Sequence, residues 1–277
     1  MKRKPNIVNF SKILQNRKSF IVIFPNEFFY AYELMQYLDN LSLQFDRCVY
    51  LFPVFSYPFF KTIKKRNGVN IKEKAILSKK HDYSLVLDFS INGNRLCKNL
   101  SKSAYMSYKQ SNNMEFLPPP SSDLDMIKIL SNFFDIEFKK TDIEFRIDKK
   151  MNIDKLLISK NKNVTFYFKY ASTVRRLNKN IVKFLDISND YSLFCFGKKY
   201  FLKFNRFYYK INLDLLKIVY SAKKSKYFFT DDMQLVNLLN QLNINHFYIG
   251  KEKSLDININ HINPVNFNEF KKIVSNN

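Results

Sequence analysis

Three groups of side chains in this sequence have types and spacing that could perform chemistry. Glu27 stands between an apolar run and a helical pattern, where a carboxylate can act as a general base. Arg175 and Arg176 are neighbours, and their planar guanidinium groups suit phosphate. Asp231 and Asp232 follow an apolar strand pattern and resemble a metal-binding pair, although adjacent acidic residues also occur by chance. The sequence therefore offers a base, a phosphate-binding pair and an acidic turn on separate segments.

Glycine is scarce, and this limits the kinds of site that the chain can build. There are 4 glycines in 277 residues, whereas ordinary proteins contain about 7% glycine. Most phosphate-binding loops need glycine because the backbone must approach an anion or adopt a positive φ. No P-loop or GxGxxG fingerprint occurs, and His81, His246 and His261 lack metal-ligand spacing. We therefore expect no metal and no cofactor.

The chain is strongly basic. It has 46 Lys and Arg against 24 Asp and Glu, which gives a net charge of +22, and 46% of its residues are hydrophobic. Such a charge attracts polyanions, which include nucleic acid, anionic lipid headgroups and phosphorylated sugars. Lysine enrichment in an AT-rich genome, together with solubility, explains the charge equally well. Both interpretations stay open at this point.

The cysteines and the apolar runs predict the compartment. Cys48, Cys97 and Cys195 form neither a disulfide framework nor a zinc pattern, which indicates buried thiols in a reducing compartment. The most apolar stretch, residues 49–60, contains two prolines and is too short to span a bilayer. We expect a cytoplasmic protein, and a peripheral position at the inner membrane stays open.

Short apolar runs alternate with helical patterns along the whole chain. Nearly continuous apolar strands that are joined by helices predict parallel sheets covered on both faces. Ser121, Ser122 or Asp123 can cap a helix that begins after three consecutive prolines, and a last helix is predicted after Pro264. The charged stretch 139–162 predicts a linker. The predicted strands lie at residues 20–24, 49–52, 84–89, 164–168, 192–196, 227–229 and 246–249.

These elements predict an α/β protein with two Rossmann-like domains, residues 1–145 and 146–277, and a C-terminal helix. Two such halves joined by a linker favour the GT-B glycosyltransferase architecture, in which the domains face each other across a cleft. Within each half, the loops at the carboxyl ends of the strands form the site.

From about Phe20 to the C-terminus, the order of segments resembles glycosyltransferase family 9, the ADP-heptose lipopolysaccharide heptosyltransferases. The segment YFFTDDMQLVNLLNQL at 227–242 is similar to the family's LVVTNDTGPMHLAAAL, and Thr230 and Asp232 align with it. The resemblance implies that this strand-to-helix turn holds the phosphates of a nucleotide-sugar donor. It also implies that Arg175 and Arg176, which lie where the family has a basic segment, face those phosphates. A solvated basic helix start explains the two arginines equally well.

Several positions depart from the family pattern. Tyr30 falls near the family's catalytic aspartate, and Glu27 is the nearest carboxylate, although a glutamate at a helix start usually interacts with the helix dipole. Asp88 matches a strand-end aspartate of the family, but as a residue it is better interpreted as a cap for the next loop. In the phosphate turn, Gln234 and Asn237 replace a glycine and a histidine. The hydrophobic framework is kept while most chemistry-bearing positions are altered.

The resemblance implies a divergent enzyme that ancestrally transfers a sugar from a nucleotide-sugar to a cell-envelope acceptor. Residues 1–145 would then be the acceptor side, and residues 146–277 the donor side. Because the motifs are eroded, we expect loss of activity rather than its retention. The alternative is a non-catalytic scaffold in a protein assembly or at an anionic membrane surface. Nucleic-acid binding ranks last, since no recognised module for it occurs.

Overall fold

The structure of the protein is a computed structural model that divides into two compact units, Met1–Arg146 and Ile147–Asn277. Each unit contains its own parallel β-sheet. No helix among the described residues is long and apolar enough to cross a membrane. The structure describes residues 19–64, 68–74, 85–90, 104–107, 123–147, 162–170, 173, 179–187, 191–197, 208–210, 213–250, 261–262 and 266–275.

Unit 1 is a parallel sheet with helices. Its described strands are β1 (Ser19–Ile23), β2 (Arg47–Phe52), β3 (Val69–Glu73), β4 (Leu85–Asp88) and β5 (Ala104–Ser107). Its described helices are α1 (Phe28–Ser42), α2 (Tyr57–Phe60) and α3 (Asp123–Phe133). The strand order is β3-β2-β1-β4-β5. Strands β2 and β3 lie on one side of β1 and strands β4 and β5 on the other, so the topological switch point lies between β1 and β4. In open α/β sheets such a switch point is where ligands bind.

The central strands of unit 1 are apolar because both of their faces are covered. Every residue of β1 is buried. The ring of Phe24, which directly follows β1, stacks on Phe52 with 4.2 Å between centroids, and Phe52 stacks on Phe60 at 4.0 Å. This column of aromatic rings fixes the loop that leaves the carboxyl end of β1.

Unit 2 repeats the same plan. Its described strands are β6 (Lys162–Phe168), β7 (Tyr191–Gly197), β8 (Tyr208–Lys210), β9 (Tyr227–Thr230), β10 (Phe247–Ile249) and β11 (His261–Ile262). Its described helices are α4 (Lys179–Ile187), α5 (Leu215–Lys224), α6 (Met233–Gln241) and α7 (Phe267–Ser275). The strand order is β11-β10-β9-β6-β7-β8, which places the switch point between β6 and β9.

Aromatic packing joins the sheet of unit 2 to its C-terminal helix. The Phe229 ring on β9 lies 5.1 Å from that of Phe166, 5.2 Å from that of Phe247 and 5.2 Å from that of Phe270. Phe270 and Val274 on α7 are fully buried in this cluster. The last helix therefore completes the core beneath the strands that carry the acidic turn.

The predicted α/β class, the parallel sheets and the C-terminal helix are confirmed. The prediction missed β3, β5, β8 and β11, of which β3 is only partly buried and lacks a continuous apolar run. The boundary between the two units, at Arg146 and Ile147, falls within the linker predicted over residues 139–162, and the first residues of that stretch pack on unit 1. There the Thr141 N–H and hydroxyl donate to the Gln36 carbonyl, and the Phe145 ring stacks on Phe59 at 4.5 Å. The rest of that stretch lies outside the described residues.

Cys48 is buried, as the sequence predicts for its thiols. Its Sγ donates to the Ser42 carbonyl at 3.1 Å, and burial raises the pKa of the thiol to about 12. A thiol with such a pKa is unreactive at neutral pH. The side chains of Cys97 and Cys195 lie outside the described residues.

The Phe229 cluster makes a prediction about stability. Replacing Phe229 by Ala removes a ring that packs against three others, and we expect the free energy of unfolding to fall by about 3–5 kcal/mol. The matched control is Phe267→Ala, which removes a half-buried ring from α7 and should cost less than half as much. Urea unfolding followed by circular dichroism measures both. Equal losses for the two variants would contradict this account of the core.

Candidate functional site

The switch point of unit 2 brings together the ends of two strands and the start of a helix. Thr230 is the last residue of β9, and it pairs with Tyr167 of β6. Asp231 and Asp232 follow, and α6 begins at Met233. The acidic turn predicted from the sequence therefore lies at the carboxyl ends of the two central strands.

Asp231 ties the ends of β6 and β9 together. Its Oδ1 accepts from the Lys169 N–H at 2.6 Å, and its Oδ2 accepts from the Tyr170 N–H at 3.0 Å. The side chain is buried, and this desolvation raises its pKa even though the backbone hydrogen bonds favour the ionised form. Both carboxylate oxygens therefore serve the architecture of the turn.

Thr230 and Asp232 are also engaged inside the turn. The Thr230 Oγ1 accepts from the Asp232 N–H at 3.1 Å, and the Asp232 Oδ1 accepts from the Gln234 N–H at 3.1 Å. Asp232 thus caps the N-terminus of α6, a position that favours an acidic side chain. Both residues are buried. Their side-chain oxygens therefore accept hydrogen bonds from backbone amides within the turn. Their predicted contact with donor phosphates stays a prediction.

Lys169 is a functional candidate that the sequence analysis missed. It follows β6 directly, and its Nζ lies 3.4 Å from the Asp232 Oδ1 and 5.6 Å from the centre of the Tyr170 ring. Its side chain is 39% exposed. An ammonium group at this edge can neutralise an incoming phosphate as a point charge. Its one signal in the sequence is its position directly after a predicted strand. That strand, β6, pairs with β9, which leads into the acidic turn.

The switch point of unit 1 carries Glu27 and Asp88. Glu27 is the N-cap residue of α1 and makes no side-chain cap hydrogen bond, although its carbonyl accepts from the Ala31 N–H. Asp88 ends β4 and is fully buried, and its Oδ1 accepts from the N–H of Ser90 at 2.8 Å and from its hydroxyl at 2.6 Å. The interpretation of Asp88 as a cap for the next loop is confirmed.

A second buried carboxylate lies at the start of α3. The hydroxyl of Tyr30, in the first turn of α1, donates to the Asp123 Oδ2. Asp123 is 4% exposed, its Oδ1 has no hydrogen-bond partner among the described residues, and burial raises its pKa to about 7. Burial, and then the charge of Glu33, raises the pKa of Tyr30 to about 12. The sequence analysis treated the two residues separately and did not predict this pair.

The remaining candidate residues from the sequence add no contact to the two switch points. Arg175 and Arg176 lie outside the described residues, so their predicted role stays a prediction. His246 directly precedes β10, its Nδ1 is 2.7 Å from the Ile244 carbonyl oxygen, and burial lowers its pKa. It is therefore a buried neutral residue beside a strand. Within the described ranges, no group of three or more His, Cys, Asp or Glu could hold a metal ion.

A cavity of about 640 Å³ lies in unit 1, away from the switch point. It is lined by Asp46 and Arg47 at the amino end of β2 and by Gly68 before β3, which adopts a positive φ of 87°. Asp39 and Lys61 also line it. Because the lining mixes both signs of charge, the cavity indicates no class of ligand.

No family model and no curated protein matches the sequence. Solved structures match the fold. E. coli heptosyltransferase WaaC with ADP-2-deoxy-2-fluoro heptose has a TM-score of 0.52 at 9% identity, over 93% of this chain and 99% of that one. E. coli ADP-heptose lps heptosyltransferase II has 0.55 at 13%, over 87% of each chain. A glycosyl transferase family 9 protein from Veillonella parvula has 0.54 at 10%, over 88% and 85%. The expected resemblance is confirmed at the level of the fold.

The Asp231 turn makes a prediction that separates two adjacent aspartates. In Asp231→Asn, one oxygen becomes an NH₂ group that faces a backbone N–H, and we expect a loss of about 1–3 kcal/mol of unfolding free energy. Asp232→Asn should change it by less than 1 kcal/mol, since asparagine is an equally good N-cap. Urea unfolding of the two variants compares them directly. A smaller loss for Asp231→Asn than for Asp232→Asn would contradict the bridging role.

The raised pKa of Asp123 predicts a dependence of stability on pH. From about pH 4 to about pH 7, the native protein keeps a proton that the unfolded chain has lost, so stability must fall as the pH rises. The fall is at most about 4 kcal/mol, at about 1.4 kcal/mol for each pKa unit. Asp123→Asn should remove this slope.

The control is Asp135→Asn, at the other end of α3, where the backbone φ is 54° and asparagine is equally tolerated. Thermal and urea unfolding between pH 4 and pH 8 measure the slope. An Asp123→Asn variant with the native slope would show that Asp123 titrates normally.

Proposed function

We propose that this chain is a divergent glycosyltransferase that binds a nucleotide-sugar through unit 2. In this proposal, the diphosphate of the donor lies at the carboxyl ends of β6 and β9. Transfer of the sugar to a hydroxyl of a cell-envelope acceptor is the ancestral reaction, which the altered motifs are expected to have weakened or abolished. The fold supports a sugar-transfer ancestry. One of the matching structures contains an ADP-sugar analogue.

The observation that carries the proposal is the position of Lys169. Its ammonium group stands at the switch point, beside the N-terminus of α6, where helix dipoles and exposed N–H groups favour anions. The ion pair with Asp232 is long, at 3.4 Å, and the lysine side of it is 39% exposed. If the ammonium turns to a phosphate, the buried Asp232 carboxylate still accepts the hydrogen bond from the Gln234 N–H. We propose that Arg175 and Arg176 add charge to the same phosphates.

The net charge supports the same proposal at longer range. A protein with a charge of +22 attracts an anionic donor and also anionic lipid, which would hold it at the inner membrane face near an envelope acceptor. Because this attraction acts between exposed charges, it weakens as salt is added. The contact between Lys169 and the donor phosphates should account for the binding that remains when salt is added.

A second candidate function is a non-catalytic scaffold with the same fold. Its support is that Thr230, Asp231 and Asp232 all use their side-chain oxygens as internal acceptors. A turn that satisfies its own backbone amides has fewer donors left for a phosphate. The two candidates differ in one measurable property, the affinity for nucleotide-sugars.

Calorimetry with ADP-heptose and UDP-glucose decides between them. We expect the native protein to bind one of these donors, and Lys169→Ala to weaken that affinity about tenfold, the loss of about 1.4 kcal/mol that a partly exposed charge contact to phosphate represents. The matched control is Lys224→Ala. The Lys224 Nζ also lies 5.7 Å from the centre of a tyrosine ring, that of Tyr220. Lys224 is, however, the last residue of α5 and lies near the amino end of β9.

Lys224→Ala should leave the affinity unchanged at 150 mM salt. Equal weakening in both lysine variants would mean that binding follows net charge and not this site. No heat with either donor at millimolar concentration would overturn the donor proposal and favour the scaffold.

A further inference from the structure

We propose that the turn at Val54 and Phe55, which follows β2 in unit 1, inserts its two exposed side chains into the surface of an anionic lipid bilayer. The contact would give a defined place to the attraction for anionic lipid that the net charge of +22 creates. It rests on that part of the proposed function and does not depend on donor binding.

Two adjacent apolar side chains are exposed in this turn. Val54 is 63% exposed and Phe55 is 36% exposed. No charged residue occurs between Arg47 and Lys61, although 25% of the residues of the chain are charged. Single exposed apolar side chains are common and need no explanation, but neighbours in one turn form a continuous apolar surface. Such a surface gains free energy when it leaves water.

The backbone of the turn is held in place by hydrogen bonds and by the core beneath it. The Pro53 carbonyl accepts from the Ser56 N–H at 3.0 Å and from the Tyr57 N–H at 2.8 Å. Phe60 is fully buried, and its ring stacks on that of Phe52 at 4.0 Å. Because the turn is already ordered, little conformational entropy is lost when its exposed side chains enter a bilayer.

An aromatic ring and an ammonium group follow the apolar side chains in the order that a bilayer surface requires. Tyr57 is half-buried and begins α2 directly after the turn. Lys61 is exposed, and its Nζ lies 5.6 Å from the centre of the Tyr57 ring. Tyrosine rings favour the boundary between headgroups and acyl chains, whereas lysine ammonium groups favour the lipid phosphates.

The charge near the turn is also complementary to anionic lipid. Residues 61–66 contain four basic side chains and no acidic one. The segment that forms an antiparallel bridge with this stretch adds Asp142, Glu144 and Arg146, and the start of α1 adds the half-buried Glu27. Five basic residues therefore stand against three acidic ones. Basic residues near an anionic membrane surface strengthen binding.

The size of the apolar surface favours a bilayer over a protein partner. A stable protein interface buries about 800 Å² on each partner. Two side chains cannot supply this area, and the Phe55 ring also packs on that of Phe28, with 6.1 Å between centroids. A bilayer accepts apolar groups to a depth of about 5–10 Å, and apolar insertion combined with electrostatic attraction suffices for peripheral binding.

A fluorescent probe tests the contact directly. The chain contains no tryptophan, so Phe55→Trp places a single indole in the turn. We expect its emission to shift to shorter wavelength with vesicles of three parts phosphatidylethanolamine to one part phosphatidylglycerol, and acyl-brominated lipid to quench it. The matched control is Leu43→Trp. Leu43 is 68% exposed and follows α1 at the amino edge of the sheet, so its emission should not change.

Sedimentation with the same vesicles measures the affinity. Val54→Ser combined with Phe55→Ser should lower it about tenfold, because two apolar side chains are lost. Lys61→Ala should lower it about fivefold. Leu43→Ser should leave it unchanged. Circular dichroism verifies that each variant is folded, and the tryptophan probe, which keeps an aromatic ring in the turn, decides if the double serine variant is not.

Three results would overturn the membrane contact. The first is native protein that does not sediment with the anionic vesicles. The second is sedimentation with no change in the Phe55→Trp emission, or with an equal change in Leu43→Trp, since binding would then follow charge at another surface. The third is a shift that needs no lipid and grows with protein concentration, which would assign the turn to a second copy of the chain. Donor binding is measured separately by calorimetry, so its failure leaves this contact standing.

Discussion

The carboxylate of Asp231 is the constraint on which the candidate site of unit 2 depends. It accepts from two successive backbone amides at the end of β6 while its own backbone continues from β9. Because the two strands are parallel neighbours, this bridge fixes where Lys169 leaves one strand and where α6 begins after the other. The position of the ammonium group and that of the helix N-terminus are thus set by one buried side chain.

The two units use buried aspartates at their switch points in different ways. In unit 2, Asp231 and Asp232 are satisfied by backbone donors, so they shape the turn and leave Lys169 as the group able to meet a ligand. In unit 1, Asp88 is satisfied by Ser90, whereas Asp123 keeps an oxygen without a partner among the described residues. Lys169 and Asp123 are therefore better functional candidates than Thr230 and Asp232, which align with the family pattern but bond within their own turn.

Hydrophobic patterning predicted the architecture because strands buried on both faces, such as β1 and β9, must be continuously apolar. It missed β3, whose side chains are partly exposed, and the short strands β5, β8 and β11. The pairing of Tyr30 with Asp123 could not be predicted, since no local spacing relates residues 93 positions apart. Lys169 was not predicted because a single lysine after a strand belongs to no recognisable sequence motif. The roles of Asp231 and Asp232 depend on which amides face them, which only the folded chain specifies.

Phosphorus NMR of ADP-heptose and UDP-glucose, titrated with the native protein, tests most directly whether the carboxyl edge of β6 and β9 is a diphosphate site. The account predicts that both phosphorus resonances of the bound donor shift, and that the ammonium signal of Lys169, assigned by its loss in Lys169→Ala, shifts with them. Phosphorus resonances that stay unchanged at millimolar donor, or that shift while the Lys169 signal does not move, would contradict it.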